Sequence, residues 1–139
     1  MRRVIIVLAA LLTALPAWAE GKAPLLVLVT SPAPMTQAMA MILSREAVSR
    51  QTPVRMVLCG PGAELALNGY AGPSLQPSGL TAQQMLRRLI EAGARVEVCP
   101  IFLANTPGAA AALIEGVSPT TPADVGAFMD RPEVRFLNF

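Results

Sequence analysis

Residues 81–99, TAQQMLRRLIEAGARVEVC, contain the signals for a capped helix, a glycine stop and a strand that ends in cysteine. Thr81 and Gln84 have the spacing of a capping box, in which each residue satisfies a backbone N–H of the other. Gly93 suits the left-handed position that ends a helix, and residues 96–99 form a short apolar strand. The apolar residues of the helix recur at helical spacing: Ala82, Met85, Leu86, Leu89 and Ile90. We therefore predict a helix followed by a strand.

Two further apolar runs lie upstream of this unit. Residues 25–29 are continuously apolar, as expected for a strand covered on both faces, and residues 54–59 form a second run that contains Arg55. Between them we predict a helix of about four turns that starts at Met35. Its apolar side consists of Met35, Ala38, Met39, Ile42 and Leu43, and Glu46 with Arg50 lies on the solvent side. Strand, helix and strand in this order predict a parallel crossover.

The chain downstream contains three more predicted elements. Thr106 and Pro107 suit a helix start and predict a helix that ends at Gly116; Thr121 and Pro122 predict a second helix. Residues 134–139 suit a final strand, and a short strand near Val117 would bring the total to five. The fold class is a three-layer α/β/α sandwich with a parallel sheet of four to five strands. The Gly, Pro and Ser-rich residues 69–80 form its longest loop.

The N-terminus has the features of a secretory signal peptide. Arg2 and Arg3 precede a largely apolar stretch of twelve residues, Val4 to Leu15, which is too short to span a bilayer. Ala17 and Ala19 supply the small side chains before a cleavage site. We expect cleavage after Ala19, export to the periplasm, no stable membrane anchor afterwards, and a single domain over residues 20–139.

Composition excludes several classes of function. The chain has no histidine, which rules out Ser-His-Asp and Cys-His catalysis and disfavours most zinc and copper sites. Without residues 1–19 its 11 basic residues fall to 9, equal to its 9 acidic residues, so the net charge gives no sign of nucleic-acid binding. The sequence indicates no organic cofactor and no metal.

Thr30, Ser31 and Thr36 follow the first strand in the position of a phosphate-binding loop. The segment lacks a glycine-rich turn, a lysine and a pair of aromatic residues to enclose a flavin. Capping of the next helix is the better interpretation.

Cys59 and Cys99 each end a predicted strand, where parallel sheets usually place their ligands and reactive groups. Three interpretations stay open: reactive thiols, small buried residues, or a structural disulfide in an oxidising compartment. A disulfide requires that the second and third strands are neighbours, and the residues do not fix the strand order.

In residues 81–99 a capped helix, a glycine and a strand that ends in cysteine follow one another. Residues 113–117, a Thr/Pro turn, a short helix and a terminal apolar strand come after them. This order of parts resembles that of the DsrE/DsrF-like family of sulfur-relay proteins. The resemblance covers nearly all of residues 24–139. It implies a five-stranded parallel sheet with the second and third strands side by side, which keeps a Cys59–Cys99 disulfide open. It also implies assembly into dimers, trimers or hexamers.

The same resemblance implies a function. Cys99 would accept sulfane sulfur as a persulfide, and the activity would be at most that of a sulfurtransferase or sulfur carrier with a donor or acceptor protein. Our hypothesis adds Cys59 as a possible redox or resolving partner, which would close a disulfide with Cys99. Two positions depart from the family pattern: Phe102 replaces a second cysteine, and Pro107-Gly108 replaces an Arg-Gly pair. The alternative is a non-catalytic oligomeric binding or structural module of the same fold, with or without the disulfide.

Overall fold

The computed structural model describes residues 21–139, so the predicted signal peptide lies outside the described residues. The sheet has five strands in the order β4-β3-β2-β1-β5, and all four pairings are parallel. This confirms the predicted fold class and the neighbouring positions of the second and third strands. The strands are β1 (Leu25–Val29), β2 (Val54–Leu58), β3 (Arg95–Val98), β4 (Val117–Pro119) and β5 (Arg135–Asn138).

The central strands lie between two layers of helices. All five residues of β2 are buried, and its neighbour β1 is paired in register from Leu25 with Val54 to Val29 with Leu58. Strands in this position need apolar side chains on both faces, which explains why β1 shows no alternation of apolar and polar residues. The continuous apolar run was therefore a reliable signal.

Helices α1 (Pro34–Ser49) and α2 (Ala82–Glu91) pack together on one face of the sheet. The predicted capping box of α2 is confirmed: the Thr81 hydroxyl accepts from the Gln84 N–H, and the Gln84 side chain accepts from the Thr81 N–H. Leu86 and Leu89 of α2 are fully buried against the main core. Such a box is worth about 1 kcal/mol, so the fully buried leucines supply the larger part of the stability of α2.

The opposite face is covered more thinly. It carries α4 (Pro122–Met129), whose start is capped as predicted by the Thr121 hydroxyl, which accepts from the Asp124 N–H. Helix α3 (Pro100–Asn105) follows β3 directly, and its Phe102 contacts the apolar clusters on both faces. None of the residues of α3 or α4 is fully buried. Within residues 21–139, no helix has the length and apolar character that a membrane crossing requires.

Two helix predictions were wrong in detail. The helix predicted from Thr106 to Gly116 is only a 3-10 turn over Ala109–Ala112, because Gly108 precedes it with a φ of 77° in the left-handed region, which interrupts a right-handed helix. A second 3-10 helix, Gly60–Ala66, occupies the segment after β2, where no helix was predicted.

Most of the predicted apolar side of α1 does not face the core, and Ala38 is its one buried member. Met35 is 78% exposed and Ile42 is 53% exposed. The buried side of α1 instead consists of smaller or polar side chains with one methionine: Gln37, Ala38, Ala40, Met41 and Ser44. The reason is steric, since small residues let α1 approach the sheet and α2 closely, so the larger apolar side chains point outward.

Candidate functional site

The two cysteines form a disulfide at the carboxyl edge of the sheet. Cys59 follows β2 and Cys99 follows β3, and their Cα atoms are 5.2 Å apart. The backbone continues the parallel ladder here, since the Cys99 N–H donates to the Leu58 carbonyl at 3.0 Å. Because Leu58 is paired with Val98, the residues that follow them, Cys59 and Cys99, point to the same face of the sheet, within the range that a disulfide requires. Among the described residues no cysteine is free.

The disulfide lies in an apolar environment on the thinly covered face. Cys99 is 8% exposed, and Cys59 is partly exposed. The small cluster around them contains Leu26, Val57, Val134, Leu28, Phe102, Val125 and Phe128. A reagent therefore reaches the bond more readily from the side of Cys59 than from the side of Cys99.

Each cysteine also stands at the start of a helix. Cys59 is the N-cap of the 3-10 helix Gly60–Ala66, and Cys99 is the N-cap of α3. The sequence analysis did not predict a helix directly after Cys99. The unpaired N–H groups of a helix start carry partial positive charge, which favours a thiolate over a thiol once the bond is reduced. This is a source of thiolate stabilisation that needs no charged side chain, and residues 100–106 carry none.

A buried ion pair lies on the same face, below the disulfide. The Arg55 guanidinium of β2 donates to the Glu97 carboxylate of β3 at 2.6 Å, and the two side chains are 6% and 0% exposed. Arg55 also donates to the Thr120 hydroxyl at 3.0 Å and stacks over the Phe128 ring at 5.1 Å from its centre. Arg95 donates to the second Glu97 oxygen from the solvent side. These contacts satisfy a charge that would otherwise be costly to bury.

Sequence reasoning noted Arg55 only as an interruption of an apolar strand. One signal was present in the sequence. Each of the two apolar runs that end in cysteine contains one charged residue: Arg55, four residues before Cys59, and Glu97, two residues before Cys99. Once β2 and β3 are neighbours, two such charges on one face must meet. The resemblance implied that order, but the register between the two strands, which puts both charges on one face, was the missing information.

The segment after β1 does not cap α1 through a side chain. The N-cap of α1 is Ala33, without a side-chain hydrogen bond. The Ser31 hydroxyl accepts from the Ala33 N–H, and the Thr30 hydroxyl donates to the Phe139 carbonyl at 3.1 Å. The expectation of a hydroxyl N-cap was wrong because the helix starts at Pro34. The N-cap is therefore Ala33, which has no polar side chain.

Among residues 21–139, no group of three or more Cys, Asp or Glu side chains is arranged to hold a metal ion. The ionisable groups closest to the cysteines along the strands, Arg55 and Glu97, neutralise each other. The chemistry that this edge of the sheet offers is therefore that of the cysteine pair.

These features define an α/β fold with a five-stranded parallel sheet and a cysteine pair at its carboxyl edge. Two solved structures share this fold. The YchN protein from E. coli is 21% identical, with a TM-score of 0.63, over 84% of this chain and 99% of that one. MTH1491 from Methanobacterium thermoautotrophicum, described as a protein of unknown function, is 15% identical, with a TM-score of 0.60, over 84% and 99%. No protein-family model and no curated protein matches the sequence. The likenesses confirm the DsrE-like fold that the sequence resemblance implied.

Proposed function

We propose that this protein is an exported sulfur carrier, in which Cys99 accepts a sulfane sulfur atom and Cys59 resolves the persulfide by closing the disulfide. The observation that carries the proposal is the position of the pair: two cysteines at the carboxyl ends of adjacent parallel strands, each at the start of a helix. Of the two, Cys99 is the acceptor, as the family resemblance implies.

The proposed cycle begins with both cysteines reduced. The Cys99 thiolate attacks the outer sulfur of a donor persulfide, so a new S–S bond forms at Cys99, the donor's own S–S bond breaks, and the donor leaves as a thiolate. The Cys59 thiolate then attacks the Sγ atom of Cys99. This forms the Cys59–Cys99 disulfide and expels the outer sulfur as hydrosulfide. An external dithiol supplies the two electrons that reduce the disulfide for the next cycle.

The fold supports the second step by geometry. Because the Cα atoms are 5.2 Å apart on a paired ladder, a thiolate at Cys59 is held next to the Sγ atom of Cys99. An intramolecular attack of this kind proceeds at a high effective concentration. The disulfide form is then the resting state of the carrier in an oxidising compartment, which agrees with export to the periplasm and removal of residues 1–19.

The surface beside the cysteines is suited to a protein partner. Ile101, two residues after Cys99, is 66% exposed. Exposed apolar side chains next to a reactive group are typical of docking surfaces. We propose that this region contacts either a donor or acceptor protein or other subunits of a homo-oligomer.

Intact mass measurement tests the proposal. The reduced protein is treated with polysulfide, and the wild type is compared with Cys59→Ser and Cys99→Ser. Cys59→Ser should gain about 32 Da per added sulfur atom and keep it, because it has no resolving thiol. The wild type should gain it transiently and finish as the disulfide, with release of hydrosulfide. Equal sulfur uptake by Cys99→Ser and Cys59→Ser would refute the role of Cys99.

A second candidate is a structural module of the same fold, without sulfur chemistry. Its support is the apolar enclosure of the disulfide, with Cys99 only 8% exposed, together with the departures from the family pattern at Phe102 and at Pro107-Gly108. This candidate predicts no sulfur uptake by any variant. It also predicts that the disulfide resists mild reductants in the folded protein.

A further inference from the structure

A groove with a volume of about 590 Å³ lies between the outer side of α1, the loop before α2, and α2 itself. Its floor is formed by the buried Ala38 and Met41, and Leu75, Pro77 and Leu80 form a wall. The wall is held in place by backbone pairing, since the Leu75 N–H donates to the Leu80 carbonyl at 2.9 Å. The groove is on the opposite face of the sheet from the disulfide.

The lining of the groove is apolar and adaptable. Met35, Met39 and Ile42 of α1 point into it and are 78%, 48% and 53% exposed. Four of the seven methionines in the chain line it: Met35, Met39, Met41 and Met85. Methionine side chains are flexible and polarisable, and they are frequent at surfaces that adapt to apolar ligands. An exposed apolar surface of this kind indicates a binding site.

The rim of the groove is positively charged. Arg45 of α1 and Arg88 of α2 both line it, and no acidic side chain does. Among the described residues neither guanidinium takes part in a salt bridge, whereas Arg50, one turn further along α1, is paired with Glu46 at 2.7 Å. Guanidinium groups bind carboxylates and phosphates through two parallel hydrogen bonds.

We infer that this groove binds an anionic amphiphile, a molecule with one apolar tail and a carboxylate-type head group. The tail lies against the methionines and Ile42, and the head group accepts hydrogen bonds from Arg45 and Arg88. The volume lies within the range of small-molecule sites, about 300–1,000 Å³. A second copy of the chain is a poorer occupant, because a groove packed against the same groove of another copy offers no acidic side chain to Arg45 and Arg88.

The methionines provide the test. The purified protein is labelled with ¹³C at its methionine methyl groups and titrated with decanoate, and with nonyltrimethylammonium as the cationic control of equal tail length. Met35, Met39, Met41 and Met85 should shift in a saturable manner. Met56 in the sheet and Met129 on α4 should not move, and they serve as internal controls. Decanoate should bind at least about tenfold more tightly than the cation.

Substitutions separate the head group from the tail. Arg45→Gln combined with Arg88→Gln should weaken decanoate binding about tenfold and leave the weak binding of the cation unchanged. Arg87→Gln, one residue away on α2 but outside the groove, is the matched control and should bind decanoate like the wild type.

Three results would overturn the inference. The first is equal affinity for the two surfactants, which would indicate adsorption of the tail alone. The second is a shift of the same methyl groups when the protein concentration is raised without ligand, which would assign the groove to a second copy. The third is tighter binding of a glutamate-rich amphipathic helical peptide than of decanoate, which would assign the groove to a protein partner.

Discussion

Removal of the Cys59–Cys99 disulfide should lower the stability of the fold substantially. The bond closes a loop with a sequence separation of 40 residues. In the chain-entropy model a loop of this length lowers the entropy of the unfolded chain by about 13 cal/mol/K, which stabilises the folded state by about 4 kcal/mol at 25 °C. For a domain of this size an unfolding entropy of about 250 cal/mol/K converts this into a fall in Tm of about 15 °C.

Thermal unfolding followed by circular dichroism measures this effect. The oxidised wild type is compared with the wild type in a phosphine reductant and with Cys59→Ala combined with Cys99→Ala. The double variant is the control for the reductant, because its Tm should not respond to it. A fall of less than about 3 °C in the reduced wild type would refute the reasoning, since the bond would then not constrain the unfolded chain as the loop length requires.

Three other substitutions or conditions test the surrounding structure. Glu97→Gln should lower the free energy of unfolding by about 3–5 kcal/mol in chemical denaturation because it leaves a buried arginine unpaired, whereas Arg95→Gln, at the exposed end of the same network, should cost less than about 1 kcal/mol. Burial raises the pKa of Tyr70, and a nearby glutamate raises it further, so the absorbance of this single tyrosine should titrate above pH 10.0 in the folded protein. The contribution of its neutral hydroxyl to the free energy of unfolding is complete below pH 10.0 and is lost as the pH rises through the native pKa. Gly62→Ala should destabilise the fold strongly, since its new Cβ atom would lie 2.5 Å from the Val29 carbonyl oxygen. Gly126→Ala has open space around the new Cβ atom and should stabilise α4 by up to about 1 kcal/mol. Thermal unfolding of both variants measures the two effects.

The sheet was predictable because its signals are local and mutually consistent. An uninterrupted apolar run defines β1, and the capping box fixes the start of α2 to the residue. Signals of this kind depend on neighbouring residues in the chain, which the sequence contains. The 3-10 turn at Ala109–Ala112 was mistaken for a helix, because the proline before it suits a helix start and only the backbone shows that Gly108 is left-handed.

The orientation of α1 and the ion pair were not predictable, because both depend on contacts between distant segments. The helical spacing of Met35, Met39 and Ile42 identified an apolar side, but not what it faces. In most helices such a side faces the core of its own domain. Here the core takes the side with small residues, and the larger apolar side chains line the groove. In the same way, Arg55 and Glu97 acquire a meaning only when β2 and β3 are neighbours.

The ion pair and the disulfide together explain how this edge of the sheet can change its redox state without coming apart. Both join β2 to β3 on the same face, and the pair lies below the disulfide, further from the carboxyl edge. When the disulfide opens, two other links still hold the strands in register. One is the backbone ladder, which runs from the Arg55–Arg95 pair to the Leu58–Val98 pair, and the other is the buried Arg55–Glu97 contact. Cys59 and Cys99 therefore stay next to each other as thiols, so the bond closes again by an intramolecular step and not by a search of the unfolded chain. The sulfur-carrier cycle proposed above requires this property, because Cys59 must reach the Sγ atom of Cys99 in every turn of the cycle.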